Sequence, residues 1–444
     1  MSKFTDGMRT LTGGRGISQY SMIIALVVII LVFEWLTAGL TLDPTNVINM
    51  VQQYSYILIL AIGMVMLIIA GHIDLSVGSV AAFVGIVVAQ SMAVWHLPAG
   101  VAMLLGLVTG AVVGAWQGFW VAYVRVPAFI VTLAGQLIFR GLNQVFGNST
   151  AVPTPASYNW IGNGFLPDFG PDFGYSNPTL ILGAIVLIAI IWAEVHARRK
   201  RVRMGASPKP MWVSVVKVVL LGGVTIFATY LFATGRVGTS FPVVGIIAGI
   251  LILLYSFLTS STVFGRHIYA VGGNASAALL SGVKSRRVNF LLMMNMSVLA
   301  AVAGMVFVGN AQASGPFDGT GWELDAIAAV FVGGAAIFGG VGTVAGSIIG
   351  GLVMAFLSNG LSLLGLDASW VSVIRGLVLL LAVAFDVYNK TQGRPSITGM
   401  LINGVRRMFG KPRRASTITE EGIEAQPQGL DKPVGEKVDQ LPLS

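Results

Sequence analysis

The chain has 444 residues, of which 55% are hydrophobic and only 10% charged, and its mean hydropathy is +0.82. Soluble chains carry about 25% charged residues, so an ordinary soluble globule is excluded and a membrane-embedded chain is indicated. There is no cysteine, which excludes disulfides, thiolate metal sites and thiol catalysis, and a formal charge of +9 makes the positions of the basic residues decisive.

Residues 1–19 are polar, with Lys3, Arg9 and Arg15, and read as a cytoplasmic N-terminus. The long apolar run that follows has no small-residue cleavage site, so a retained first helix is expected rather than a signal peptide. Crossing a bilayer takes about 20 apolar residues in a helix. Runs of that order cover Tyr20–Leu40, Tyr54–Ala70, Ser76–Trp95, Ala99–Val124, Pro127–Gly147, Pro178–His196, Val213–Ala233, Phe241–Thr262 and Phe290–Asn310. Three more follow at Leu324–Gly340, Gly342–Leu361 and Trp370–Val387. The Leu324 run is short and bounded by glycines, which suits a half-helix or re-entrant segment, and Gly71–Gly78 is a comparable interruption. The expected fold is all-α and polytopic, with about ten to twelve transmembrane or half-membrane helices.

Basic residues orient such a chain, because they are retained on the cytoplasmic side during insertion. Arg198, Arg199, Lys200, Arg201, Arg203 and Lys209 fall in one inter-helix link, and Arg266, Lys284, Arg286 and Arg287 in another. The C-terminal region adds Lys390, Arg394, Arg406, Arg407, Lys411, Arg413 and Arg414. Asn148–Asn177 and Ala311–Glu323, on the facing side, hold no Lys or Arg. Both termini are therefore expected inside, in a multi-pass protein of the inner (cytoplasmic) membrane, and the charge needs no nucleic acid to explain it. After the last helix, 391–410 has the apolar and basic spacing of a segment lying on the inner leaflet, while 411–444 has the polar composition of a disordered tail.

Glycines recur every four residues at Gly106, Gly110, Gly114 and Gly118, and again at Gly342, Gly346 and Gly350. Each series lays a small-residue stripe on one helix face, against which another backbone can pack closely. The stretch GGVGTVAGSIIGG is not a phosphate loop, and no G-K-[ST] occurs, so any nucleotide hydrolysis belongs to another subunit. VGSVA at Val77–Ala81 is echoed by VGTVA at Val341–Ala345, each opening an apolar run after a glycine-rich break, a pointer to duplicated halves.

Glu34, Asp74, Arg140, Arg375 and Asp386 sit in or at the ends of apolar runs, where a charge needs a partner or a cavity. No histidine lies mid-helix, and neither a carboxylate pair nor a Ser/His/Asp set stands at plausible depth, so a membrane enzyme is disfavoured. Asp74, Ser76, Gln117, Arg140, Asn143, Asn310 and Asn359 are the candidates for a substrate pathway or gate. For Asp74 two readings stand: a cap on the helix that starts at Ser76, or a charge lining the route.

The segment Phe264–Phe290 is long for a cytoplasmic link. It holds a short helix candidate, Ala275–Leu280, closed by Ser281-Gly282, with Gly282 in the positive-φ capping role. A small capped helix held below the membrane suits docking on a soluble partner.

IDLSVGS (Ile73–Ser79), VPAFIVTLAG (Val126–Gly135), FGRHIYAVGGN (Phe264–Asn274), ELDAIAA (Glu323–Ala329) and GGVGTVAG (Gly339–Gly346), in this order, closely resemble the ribose/xylose-type monosaccharide importer permeases. The resemblance runs over roughly Met22 to Lys390 and looks closest to the xylose or multiple-sugar branch. It implies two permease copies, two cytoplasmic ATP-binding subunits, an extracytoplasmic sugar-binding protein and no cofactor in the permease. By the same resemblance, Asn274, Ala277, Ala278, Ser281 and Gly282 correspond to the ATPase-contacting loop, with Arg286 and Arg287 beside it. Ser276 stands where that family usually has an acidic residue and Leu279 where a basic one is common, so docking here is expected to rest on shape and on Arg286 or Arg287. The other readings are a cation-coupled carrier acting alone and, behind it, a structural or enzymatic membrane protein.

Overall fold

The computed structural model describes residues 18–171, 174–205, 210–236 and 238–391. The expected cytoplasmic N-terminus through residue 17, the interfacial segment from residue 392 and the tail lie outside them, as do Lys209 and the Asp386 side chain.

The chain opens with α1 (Ser18–Leu36), α2 (Pro44–Ile69), α3 (Val77–Ala93) and α4 (Ala99–Phe119), which runs on through a π turn at Trp120–Val124. Then come α5 (Ala128–Phe146), the two-residue strand β1 (Val152–Pro153) and α6 (Ala156–Asn163). Next are α7 (Asn177–Arg203), α8 (Met211–Ala233), α9 (Val243–Ser261) and the short α10 (Val263–Gly273) and α11 (Ala275–Leu280). Finally α12 (Ser285–Ala311), β2 (Ala313–Ser314), α13 (Trp322–Val332), α14 (Val344–Leu363) and α15 (Ala368–Thr391) complete the described chain.

Among the described residues, eight helices are long and apolar enough to cross a membrane, and α1, α3 and α15 supply shorter apolar stretches. The Leu324–Gly340 run forms only α13, 11 residues long. At 1.5 Å per residue it reaches about 16 Å, half a hydrocarbon layer, so the half-helix reading holds. One expectation is corrected: Phe264–Gly273 is not loop but most of α10, whose Thr262 Oγ1 accepts from Gly265 N at 3.2 Å as an N-cap.

Helix order in lipid comes from close packing, since lipid tails are as apolar as leucine. The α4 glycines lie along α12: a Cβ on Gly114 would meet Met294 Cα at 2.6 Å, and one on Gly110 would meet Ala301 Cβ at 2.6 Å. Gly350 does the same for α14 on α13, where a Cβ would stand 2.0 Å from Ala329 O, but Gly342, expected on the same stripe, precedes α14 and lies in the interruption before it. α2, α3 and α12 form the centre, with Ile59, Leu60, Ile62, Met64, Leu67, Leu292 and Met293 buried. α7 and α8 pair with each other at the periphery and leave most of their apolar side chains outward, as lipid-facing helices do.

α12 spans the bundle from α11 to α6. At its far end β1 pairs antiparallel with β2, Val152 opposite Ser314, and Tyr158 Oη donates to Met305 O at 2.9 Å. The chain then turns back into the bundle before α13.

Candidate functional site

Two interruptions organise the interior, one between α2 and α3 and one between α13 and α14. They meet: Gly340 N donates to Ile69 O at 2.8 Å. The sequence echo lies on them, but in shifted registers. Val77 opens α3 directly, whereas in VGTVA it is Thr343 that caps α14, its Oγ1 accepting from Gly346 N at 3.0 Å.

Asp74, Ser76 and Gln117 form a single buried network. Asp74 Oδ1 accepts from Ser76 N and Ser76 Oγ, both at 2.7 Å, and Gln117 Nε2 donates to Ser76 Oγ at 2.7 Å. Ser297 Oγ closes the chain on Gln117 Oε1 at 3.5 Å. All four residues are buried. Gly135 lets α5 pass over them, since a Cβ there would meet Gln117 Nε2 at 2.7 Å. A carboxylate taken from water needs such donors, and this one receives them at the start of a helix, where its charge also meets the positive end of the dipole.

A second polar seam joins α5 to the returning chain. Gln136, Arg140 and Asn143 share one face of α5, at helical spacing. Gln136 Nε2 donates to Glu323 Oε1 at 2.9 Å, and Asn143 Nδ2 donates to Gly315 O and Pro316 O at 3.1 and 3.2 Å. Asp318 Oδ2 accepts from Gly315 N at 2.7 Å, holding the turn. Three buried atoms here, Glu323 Oε2, Asn143 Oδ1 and Ser314 Oγ, have no partner. Arg140, partly exposed, is the cation nearest in influence to Glu323.

Two predicted residues lie elsewhere. Asn310 exchanges hydrogen bonds with Asn163, Nδ2 to Oδ1 at 2.8 Å, clamping α6 to α12. Asn359 pairs reciprocally with Asn46 at 2.9 and 3.0 Å, joining α14 to the start of α2. Sequence reasoning did not single out Gln136, Glu323 or Asp318. Glu323 and Asp325 were read only as letters of a motif, yet Glu323 is buried, and Asp325 is ion-paired with Arg375 at 2.9 Å. Their position in the first turn of an apolar helix was the available signal.

At the other end, α10 and α11 share one residue. Asn274 ends α10 and caps α11, its Oδ1 accepting from Ala277 N at 2.9 Å. α11 closes as expected: Gly282 takes φ +85°, with Gly282 N bonded to Leu279 O and Val283 N to Ala278 O, both at 3.0 Å. Leu279 and Leu280 project outward, Leu280 being 90% exposed, and Arg286 and Arg287 are exposed beside them. Among the described residues no group of His, Asp and Glu is placed to hold a metal ion.

Interrupted helices meeting inside an all-α bundle, with a small capped helix packed at one end through Ala278 and exposing Leu279 and Leu280, fit a multi-pass membrane permease. Residues 46–383 match the model of the branched-chain amino acid transport system / permease component family, and the chain belongs to it. It is 39% identical over 372 residues to the xylose transport system permease protein XylH of Haemophilus influenzae, covering 84% of this chain and 96% of that one. To XylH of Escherichia coli K12 it is 38% identical over 374 residues, 84% of this chain and 92% of the relative. To the ribose import permease protein RbsC of the same strain it is 33% identical over 392 residues, covering 87% and 98%. No solved structure matches the chain.

Proposed function

We propose that this chain is the sugar-conducting subunit of an ATP-driven importer of a monosaccharide, with xylose or a similar pentose or hexose as cargo. The observation that carries the ATP-driven part is the α10–α11 unit: a short helix capped at both ends that presents Leu279 and Leu280 to solvent rather than to the bundle. Two adjacent exposed leucines on an ordered helix in a basic stretch of the chain support the docking reading. With Ser276 and Leu279 in place of charges, a cytoplasmic ATP-binding subunit would be held by apolar contact, flanked by Arg286 and Arg287.

In this reading α11 and both termini face the cytoplasm, in agreement with the basic end of α7, and the α6–β1–β2 end receives an extracytoplasmic sugar-binding protein. A second copy of the chain completes the transporter in the bilayer. The polar side of the solute route is assigned to the α5 seam, Gln136, Arg140, Asn143 and Glu323, whose unpartnered oxygens suit hydroxyl groups. Asp74, Ser76 and Gln117 brace the α2–α3 interruption, and Asn310 and Asn359 are clamps. Reconstitution with the ATP-binding subunit and the binding protein tests the whole: xylose is expected to stimulate ATP hydrolysis more than other sugars. One observation favours a second reading, a cation-coupled carrier, namely the free oxygen of buried Glu323. Uptake that survives without the ATP-binding subunit would establish that reading instead.

A further inference from the structure

The FGRHIYAVGGN motif supplies α10, and nothing above gives α10 a task beyond carrying α11. Its side chains do more than that. Tyr269 Oη donates to Gly342 O at 2.8 Å, inside the α13–α14 interruption. Three residues on, on the same helix face, Gly272 lies against the last residue of α2: a Cβ there would stand 1.6 Å from Ile69 O and 2.9 Å from Gly340 N. The Ile69 carbonyl is the one that accepts from Gly340 N at 2.8 Å. Three chain segments therefore converge on one carbonyl oxygen: the end of α2, the end of α10 and the α13–α14 interruption.

The same helix runs directly into α11. No linker separates them, because Asn274 serves both as the end of α10 and as the cap of α11. A displacement of Leu279 or Leu280 has no flexible linker to absorb it before α10, and α10 has one polar hold and one steric hold on the two interruptions. Energetic coupling travels through such contiguous rigid pieces and hydrogen bonds.

We infer that Tyr269 is a positioning residue that links the docking helix to both helix interruptions, pulling Gly342 through its hydroxyl while Gly272 bears on Ile69. This rests on the docking reading of α11. The ring of Tyr269 packs on the buried core whether or not it carries a hydroxyl, so Tyr269→Phe removes the link and leaves the packing.

The test uses the full chain with its ATP-binding subunit and binding protein in liposomes, with xylose as the transported probe. Tyr269→Phe should keep its ATP-binding subunit on purification and should still hydrolyse ATP. Xylose taken up per ATP hydrolysed should fall about five- to tenfold, the scale of one hydrogen bond whose loss leaves a carbonyl unsatisfied. A second readout does not depend on transport. The chain has no cysteine, so a single one placed at Val341, 57% exposed, reports on the interruption. Its maleimide labelling rate should differ between nucleotide-free and ATP-bound complex, and Tyr269→Phe should erase that difference. A variant with unchanged uptake per ATP, or with the labelling difference intact, overturns the inference. If the unsubstituted chain fails to hold an ATP-binding subunit, the docking reading falls first and takes this one with it. If that chain holds the subunit and Tyr269→Phe behaves like it, only the link is wrong.

Discussion

A Cβ on Gly78 would stand 2.1 Å from the carbonyl oxygen of Gly319, and one on Gly319 would stand 2.0 Å from that of Gly78. The first turn of α3 and the chain returning toward α13 are thus in backbone contact, directly beside the Asp74 network. Gly319 also holds φ +75°, which a side chain disfavours. Gly78→Ala is expected to destabilise the purified protein by about 1–3 kcal/mol through overpacking. Gly141→Ala, on the open face of α5 with nothing within 4 Å, is the control and should leave the melting temperature unchanged or slightly raised.

Arg375 Nη1 contacts both oxygens of Asp325 at 2.9 Å. Removing one partner of a buried pair leaves the other charge uncompensated. Arg375→Leu should lose up to about 3 kcal/mol, the pair being partly exposed. The double variant Arg375→Leu with Asp325→Leu should recover most of that loss. Thermal unfolding in detergent checks the sign, and a double variant less stable than the single one would show that the pair's charges are not what destabilises Arg375→Leu.

Asp74 Oδ1 accepts two hydrogen bonds from Ser76, and the amide oxygen of asparagine can accept the same two, though without the added strength of the charge. Asp74→Asn should therefore give folded protein with near-normal xylose uptake. Asp74→Ala should lower the yield of monodisperse protein, at a cost of about 1–2 kcal/mol. Loss of uptake in a well-folded, ATPase-bound Asp74→Asn protein would reassign Asp74 to the solute route.

Gly282→Val places a β-branched residue at φ +85°, at about 1–2 kcal/mol or more. The effect should be local, with the bundle folded and the ATP-binding subunit bound poorly. Leu280→Glu leaves the cap intact and should weaken the same association. Co-purification distinguishes the outcomes, and full binding by both variants would detach docking from α11.

Topology is tested by single cysteines at Ser157 in α6 and Lys200 near the end of α7, both exposed. From outside intact cells, an impermeant maleimide should label Ser157→Cys and not Lys200→Cys. The reverse pattern would invert the orientation and place α11 outside.

What could be read from the sequence was whatever is local or periodic. Gly282 as a positive-φ cap needed only its neighbours, and the α4 glycine stripe needed only a period of four. The bond from Ser76 to Asp74 spans only two residues. By contrast the Gln136–Glu323 bond joins residues 187 apart, and Tyr269–Gly342 joins residues 73 apart. No spacing rule reaches across such distances. α10 escaped notice because 11 residues with two adjacent glycines at the end carry too short a pattern to stand out from a loop. Asn310 and Asn359 are in the same position: their partners, Asn163 and Asn46, sit 147 and 313 residues away on other helices, beyond the reach of any spacing rule.

The pairing of β1 with β2 has a consequence for the surface at that end of the molecule. Thr154 N bonds to Gln312 O at 3.0 Å, Gly162 leaves room for the backbone of Gly309 and Asn310, and Asn163 locks to Asn310. Two segments about 150 residues apart in sequence are thereby fused into one stiff rim. Ordering of flexible loops is among the larger entropic penalties of association. Under the proposed docking of a binding protein at this end, the hydrogen bonds that order these two segments are already made within the chain, so fast, reversible association would not have to supply that ordering.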